Sequence, residues 1–159
     1  MIATFWVKRW QEDYLLILPE TMQEITRNHL QKYAVFSKVM ITRDDNEGVS
    51  GDVGGEEWRE AAIAKGVVIL QPKTSLLFTP QMINLQKLGG VSFTKGCYVG
   101  QEIIARTEHL GTLKRHLRAI TLKTPLEPGD PLKNAAGEEI GVIADAVGLQ
   151  ALAVIEDRF

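Results

Sequence analysis

The sequence has few of the features that would assign a class on their own. It contains one cysteine in 159 residues, which excludes an intrachain disulfide framework and fits a reducing compartment. No apolar run approaches the roughly 20 residues that span a bilayer, and the N-terminal residues lack the basic flank and apolar core of a signal peptide. The net charge of -2 gives no drive toward nucleic acid or an anionic membrane. We therefore expect a cytoplasmic protein without a membrane partner.

Metal and hydrolase chemistry has little support among the residues. The three histidines, His29, His109 and His116, show no metal-ligand spacing. A zinc or iron–sulfur site needs about four ligands, so the lone Cys97 cannot hold a permanent cluster within a monomer; a transient or dimer-shared cluster stays open. A cysteine hydrolase would need the fold to bring Cys97 to His109 and is not favoured.

The hydrophobic pattern predicts a first domain, residues 1–111, of the α+β class. Thr21 lies three residues before Glu24, the spacing of a capping box at a helix start. A stretch rich in Asp, Gly and Asn, Asp44–Gly55, predicts a loop. The predicted strands are Ala3–Val7, Tyr14–Leu18, Val35–Ile41 and Val67–Leu70, and the predicted helices are Thr21–Tyr33, Glu56–Lys65, Gln81–Leu88 and Gly100–His109.

The second predicted domain, residues 112–159, has a different sequence pattern. Short apolar runs alternate with Pro-Gly-Asp and Gly-Glu turns, a pattern typical of a small antiparallel β-barrel. The predicted strands are Leu117–Leu122, Gly129–Leu132, Glu139–Ala144 and Leu149–Ile155. The sequence therefore predicts an α+β core followed by a C-terminal barrel.

The most informative segment is Lys95–Glu102, K-G-C-Y-V-G-Q-E, called the cysteine motif below. Its glycines let the backbone turn sharply and let another group approach closely. A cysteine near a cation and just ahead of a helix start is where a reactive thiolate tends to form. We therefore expect Cys97 to be reactive and Lys95 to assist it, while an inert cysteine and a solvated lysine remain the alternatives.

The segment Leu88–Glu102 closely resembles the signature of the YgfZ-type folate-binding proteins, which are relatives of the glycine-cleavage T-protein aminomethyltransferases. Similarity continues through Ala105-Arg106 and Lys114-Arg115, and upstream in Phe78–Gln81, Asn84–Gln86 and Lys32–Val39. Two departures stand out. The chain is shorter than the bacterial proteins it resembles, with material between Asp45 and Trp58 mostly missing, and Ala64 replaces an acid expected near the pterin.

The resemblance implies a tetrahydrofolate-binding accessory protein that supports iron–sulfur enzymes and a methylthio-type tRNA modification. The implied core is aminomethyltransferase-like and shortened, and the implied reactive groups are Cys97 and Lys95, with Cys97 accepting or relaying a thiol-level or one-carbon-derived species. The implied folate contacts are Gln81, Gly96, Tyr98, Gly100, Gln101, Glu102 and Arg106.

Several readings of the residues stay open beside this one. Glu102 and Arg106 also fit a plain helix-surface ion pair at i,i+4, and the basic stretch from Arg106 to Arg118 suits tRNA phosphates, a polyglutamate tail or simply a charged face. The alternative functions are a folate-dependent aminomethyltransferase and a non-catalytic family remnant acting as an interaction module. We expect folate and iron–sulfur or tRNA-modifying enzymes as partners, and a homodimer is possible.

Overall fold

The computed structural model describes residues 1–43 and 55–158, and these residues form three α-helices and two antiparallel sheets. The predicted mixture of helices and antiparallel sheets is therefore confirmed. None of the described helices is both long and apolar enough to cross a bilayer. The elements in chain order are β1 Trp6–Trp10, β2 Asp13–Ile17, α1 Glu20–Ala34, α2 Glu56–Ala64, α3 Gln101–His109, β3 Arg115–Thr121, β4 Pro131–Lys133, β5 Glu139–Val147 and β6 Gln150–Glu156.

The first two strands form a hairpin in which Trp6 pairs with Ile17 and Trp10 pairs with Asp13. Gln11 in the turn has a φ of 54°, as tight two-residue hairpin turns require. The first strand begins later than predicted because the residues before it are bound elsewhere. Thr4 is one of them: its Oγ1 donates to the carbonyl of Val68 (3.3 Å) and accepts from the amide of Leu70 (3.2 Å).

Helix α1 confirms the predicted amphipathic helix, but the predicted capping box is wrong. Pro19 occupies the N-cap position and no side chain caps the helix. Thr21 instead donates its hydroxyl to Oε1 of Gln71 at 3.1 Å, which links the start of the helix to a later loop. The predicted strand Val35–Ile41 is also wrong, because the chain turns after α1 and has no neighbouring strand there among the described residues.

Helix α2 begins and ends close to the predicted bounds, and Gly66, with a φ of 69°, lets the chain turn away after Lys65. The residues from Val68 to Leu70 are buried as predicted but pair with no strand in the described structure. Val68 and Leu70 pack in a core cluster with both helix and sheet residues. Its buried members are Ile63, Val68, Leu70, Phe78, Ile83, Ala144, Val147, Leu152 and Val154.

The predicted helix Gln81–Leu88 is wrong. The chain forms a single 3₁₀ turn, Gln81–Ile83, and Asn84 then adopts a left-handed conformation with a φ of 58° that ends it. Further turns follow, and the amide of Gly90 donates to the carbonyl of Leu85 at 2.9 Å. The apolar residues of this stretch therefore reach the core from successive turns and not from one face of a helix.

The last four strands form one sheet in the order β3-β6-β5-β4, with every neighbouring pair antiparallel. All four strands were predicted, but the described sheet is open and the predicted barrel closure is not confirmed. Strand β4 has only three residues, and its first, Pro131, has no N–H to donate. Such a strand is suited to an edge, so it does not close against β3.

The sheet carries two clusters of buried side chains. One face contributes Ala144, Leu152 and Val154 to the core cluster shared with α2, while Ile143 and Ala153 belong to a second cluster. The first cluster thus joins side chains from both sides of the predicted boundary at residues 111 and 112. The boundary itself stays a prediction. The predicted loop Asp44–Gly55 lies, except for Gly55, outside the described residues.

A buried ion pair joins α2 to β5. Arg59 donates from Nε (3.1 Å) and Nη2 to Oδ1 of Asp145, and Nη2 also donates to the carbonyl of Ala146 at 2.7 Å. Asp145 is fully buried and Arg59 is 21% exposed. Burial raises the pKa of Asp145 above its ordinary value of 3.8, and the hydrogen bond from Arg59 offsets part of that rise. Nothing in the sequence pattern distinguished these two residues.

Candidate functional site

The cysteine motif lies on the surface, in the loop before α3 and in the first turn of that helix. Gly100 occupies the N-cap position with a φ of 85°, a backbone conformation that is unfavourable for residues with a Cβ. The amide of Gln101 donates to the carbonyl of Tyr98 (3.1 Å), and the amide of Ile104 donates to the carbonyl of Gly100 (3.2 Å). Gly100 therefore sets the angle at which the loop enters the helix.

Ser92 organises the loop, although neither the octapeptide nor the resemblance predicted a role for it. Its hydroxyl accepts from the amide of Lys95 at 3.1 Å, and its carbonyl accepts from the hydroxyl of Tyr98 at 3.3 Å. A serine hydroxyl that accepts from the backbone amide three residues later is a common way to cap a turn or a helix start. That spacing was the available signal, and it was weaker than the cysteine and the glycines that follow.

Lys95 and Tyr98 are brought together by this loop. The Lys95 ammonium lies 4.6 Å from the centroid of the Tyr98 ring, within the range of a cation–π contact. Lys95 is exposed and Tyr98 is half-buried. The pair presents a cation and an aromatic ring side by side at the protein surface, which suits a flat, anionic ligand.

Cys97 lies between these two residues in the chain as a free, exposed thiol. A Cβ built on the neighbouring Gly96 would meet no other atom within 4 Å, so the space around this part of the loop is open. The thiol is therefore accessible to a reagent or partner from solution. Among the described residues, no group of three or more His, Cys, Asp and Glu side chains could hold a metal ion.

Gln81 lies behind α3 and differs from the other predicted folate contacts. It is only 3% exposed, and its Nε2 donates to the carbonyl of Ile104 at 2.8 Å, which holds the 3₁₀ turn against the helix. Its Oε1 is buried and accepts no hydrogen bond within the described structure. Gln81 therefore positions α3 and also retains one unsatisfied acceptor.

Glu102 and Arg106 form the ion pair that their spacing suggested. Arg106 Nη2 lies 2.9 Å from Glu102 Oε1, and both side chains are largely exposed, at 70% and 82%. Exposed pairs at this spacing contribute only about 0.3–0.5 kcal/mol to stability. Glu102 is the only carboxylate in the cysteine motif, and it is engaged by Arg106.

The basic stretch after α3 is partly neutralised by acids. Arg115 Nη2 lies 2.8 Å from Glu156, and His116 Nε2 lies 3.2 Å from Asp157 and 2.9 Å from the carbonyl of Leu113. The hydrogen bond from Arg115, reinforced by Arg158, holds the pKa of Glu156 below its usual range. With Arg106 also paired, this stretch presents less free positive charge than its sequence suggests.

A cavity of about 270 Å³ lies against the sheet, away from the motif. Phe78, Met82 and Val142 are among its apolar lining residues, and Arg115 and Glu156 are among the charged ones. No residue of the cysteine motif contributes to it. The motif is thus a surface site, and the cavity is a separate feature of the fold.

The fold and the site define a class: a mixed protein of helices and antiparallel sheets with a glycine-flanked, exposed cysteine immediately before a helix. No protein-family model matches the chain. It is 43% identical over 100 residues to the tRNA-modifying protein YgfZ of Hamiltonella defensa, and 43% identical over 83 residues to the protein of the same name from Colwellia psychrerythraea. These matches confirm the resemblance, and the chain is related to the YgfZ-type proteins.

The matches differ in how much of each protein they cover. They include 60% and 51% of this chain but only 30% and 26% of the two YgfZ proteins. An uncharacterized protein of Haemophilus influenzae is 30% identical over 180 residues, with 89% of this chain and 64% of that protein covered. That alignment is longer than the 159 residues of this chain, so the relative carries residues there that have no counterpart here.

Proposed function

We propose that this protein assists tRNA modification and binds a tetrahydrofolate at its cysteine motif to do so. The observation that carries the proposal is its 43% identity with two proteins named tRNA-modifying protein YgfZ. The chain covers less than two thirds of the length of each relative. The activity of those longer proteins is therefore proposed for this chain. We also propose that its core is aminomethyltransferase-like and that it supports iron–sulfur enzymes.

The surface around Lys95 and Tyr98 supports folate binding. A half-buried ring beside an ammonium suits both the flat pterin and the carboxylates of the glutamate tail. Gln81, a folate contact implied by the resemblance, is buried behind α3 and holds that helix through Ile104, so it supports the proposed surface from behind rather than lining it. Gln101 and Arg106 on α3 and the backbone at Gly96 and Gly100 complete the proposed contact surface.

Cys97 is the proposed reactive group of this site. A bound tetrahydrofolate supplies one-carbon chemistry, and an exposed thiol in an open loop supplies a nucleophile beside it. Iron–sulfur or tRNA-modifying enzymes are the proposed recipients of this assistance. An aminomethyltransferase is less well supported, because the motif's one carboxylate, Glu102, is engaged by Arg106.

Isothermal titration with tetrahydrofolate tests the binding step. We expect saturable binding in the micromolar range, about -8 kcal/mol. Lys95→Ala should weaken binding roughly tenfold because it removes the cation beside the ring, while Cys97→Ser should bind like the wild type. Lys87→Ala is the matched control, since Lys87 is an exposed lysine outside the motif.

The control makes the outcomes distinct. If the wild type shows no heat of binding at millimolar ligand, the folate part of the proposal is wrong. If Lys87→Ala weakens binding as much as Lys95→Ala, the ligand is attracted by overall charge and the motif is not its site.

A further inference from the structure

The loop before α3 is joined to the last turn of that helix by a contact between two rings. Phe93 lies two residues before the cysteine motif, and its ring centroid is 6.0 Å from that of His109, with the two ring planes at 64°. This edge-to-face arrangement is one of the favoured geometries for aromatic pairs. Phe93 is 37% exposed and His109 is also exposed, so the contact lies at the surface. Neither residue belongs to the motif or to the predicted folate contacts.

The ring contact fixes the far end of the loop. His109 is the last residue of α3 and Gly100 precedes its first residue, and the helix between them is about 13 Å long. Among the described residues, no hydrogen bond or ion pair joins Ser92, Phe93 or Lys95 to α3. The loop is therefore held at the start of the helix by Gly100 and near its end by the Phe93 ring.

Phe93 is adjacent in the chain to the serine that holds the proposed folate surface together. Ser92 accepts at its hydroxyl from the amide of Lys95 (3.1 Å) and at its carbonyl from the hydroxyl of Tyr98 (3.3 Å). The Lys95 ammonium in turn lies 4.6 Å from the centroid of the Tyr98 ring. A continuous set of contacts therefore runs from His109 through Phe93 and Ser92 to the lysine and the tyrosine.

We propose that Phe93 and His109 are positioning residues, and that their ring contact holds Lys95 beside Tyr98 in the geometry that folate binding needs. This assignment rests on the proposed function for its effect on folate binding only, because the Lys95–Tyr98 contact exists without a ligand. An aromatic pair of this kind shifts a conformational equilibrium by roughly twofold to tenfold. Since both rings lie at the surface, loss of either ring should loosen the loop without unfolding the protein.

The ring current of Tyr98 allows this geometry to be measured without a ligand. The end of the Lys95 side chain lies over the ring, so its NMR resonances should be shifted upfield from those of a solvated lysine. Phe93→Ala and His109→Ala should each return these resonances towards the solvated position. His109→Phe, which retains a ring, should keep the upfield shift.

Phe36→Ala is the matched control, since Phe36 is a 92% exposed phenylalanine outside this loop. It should leave the Lys95 resonances unchanged. Lys95 resonances that stay at their wild-type positions in both Phe93→Ala and His109→Ala overturn the positioning role, whatever the folate titration gives.

Titration of the same variants with tetrahydrofolate measures the effect on binding. We expect Phe93→Ala and His109→Ala each to weaken binding by about twofold to tenfold, and the double variant to bind no more weakly than either single variant. If Phe93→Ala costs as much affinity in the His109→Ala background as in the wild type, Phe93 contacts the ligand directly and the positioning role is wrong. If the Lys95 resonances move as expected but the wild type binds no folate, the positioning role is supported and the proposed folate site is wrong.

Discussion

At the residue scale, the two glycines of the cysteine motif have different structural tasks. Gly100 has a φ of 85° at the start of α3, where a Cβ would be strained. Gly96 has no left-handed φ, and a Cβ there would meet nothing within 4 Å. The two positions thus separate the effect of backbone conformation from the effect of adding a methyl group to the motif.

This difference predicts the stability of two variants. Gly100→Ala should lower the free energy of unfolding by about 1 kcal/mol, because alanine resists the left-handed conformation. Gly96→Ala should leave it within about 0.5 kcal/mol of the wild type. Chemical denaturation of both variants gives the comparison. Equal losses would mean that the backbone at Gly100 is not left-handed as described.

The residue scale also shows what the sequence could reveal of the site. The octapeptide and its resemblance identified the exposed loop and the residues within it. The sequence did not predict that Ser92 binds both Lys95 and Tyr98, or that Gln81 turns inward to Ile104. These contacts depend on how turns of irregular geometry fold back on one another, and residue spacing carries little information on that.

At the element scale, sequence periodicity predicted the three helices and most of the strands of the described structure. Helices α1 and α2 and the strands β3, β5 and β6 lie close to their predicted bounds. The predicted elements were wrong where the apolar residues are exposed or lie in irregular turns. Val35 and Val39 are exposed in the segment after α1, and Asn84 ends a turn that the apolar spacing had extended into a helix.

The Arg59–Asp145 pair is the element-scale contact with the clearest energetic consequence. Burial raises the pKa of Asp145 above 3.8, so the folded protein holds this proton at pH values where the unfolded chain has lost it. The stability from the neutral carboxyl is complete below about pH 3.8 and is lost as the pH rises through the folded pKa. Arg59 limits that loss by stabilising the ionised form.

We therefore predict that Arg59→Met lowers the free energy of unfolding by about 3 kcal/mol at pH 7. The loss should be smaller near pH 4, because a protonated Asp145 no longer needs a cation. Arg106→Met, which removes an arginine from an exposed pair, should cost less than about 1 kcal/mol at either pH. Urea unfolding at both pH values measures this. A pH-independent cost for Arg59→Met would show that the charge of Asp145 is not what Arg59 compensates.

At the scale of the whole molecule, the core cluster unites α2 with the C-terminal sheet, while the β1–β2 hairpin and segment 35–43 carry exposed apolar side chains. The cysteine motif lies on the surface, supported from behind by Gln81. The sequence could not predict the open sheet, because barrel closure depends on the length and pairing of a three-residue edge strand. The resemblance, carried by a short and unusual motif, proved more informative about relatives than composition did.

The most direct test of the proposed function is made in bacteria that lack their own YgfZ-type protein. The level of methylthio-modified nucleosides in their tRNA is measured by mass spectrometry, with expression of the wild type, Cys97→Ser or the control Lys87→Ala. We predict that the wild type and Lys87→Ala restore the modification and that Cys97→Ser does not. If the wild type is expressed and folded but restores nothing, or if Cys97→Ser restores the modification fully, the account of the cysteine motif is contradicted.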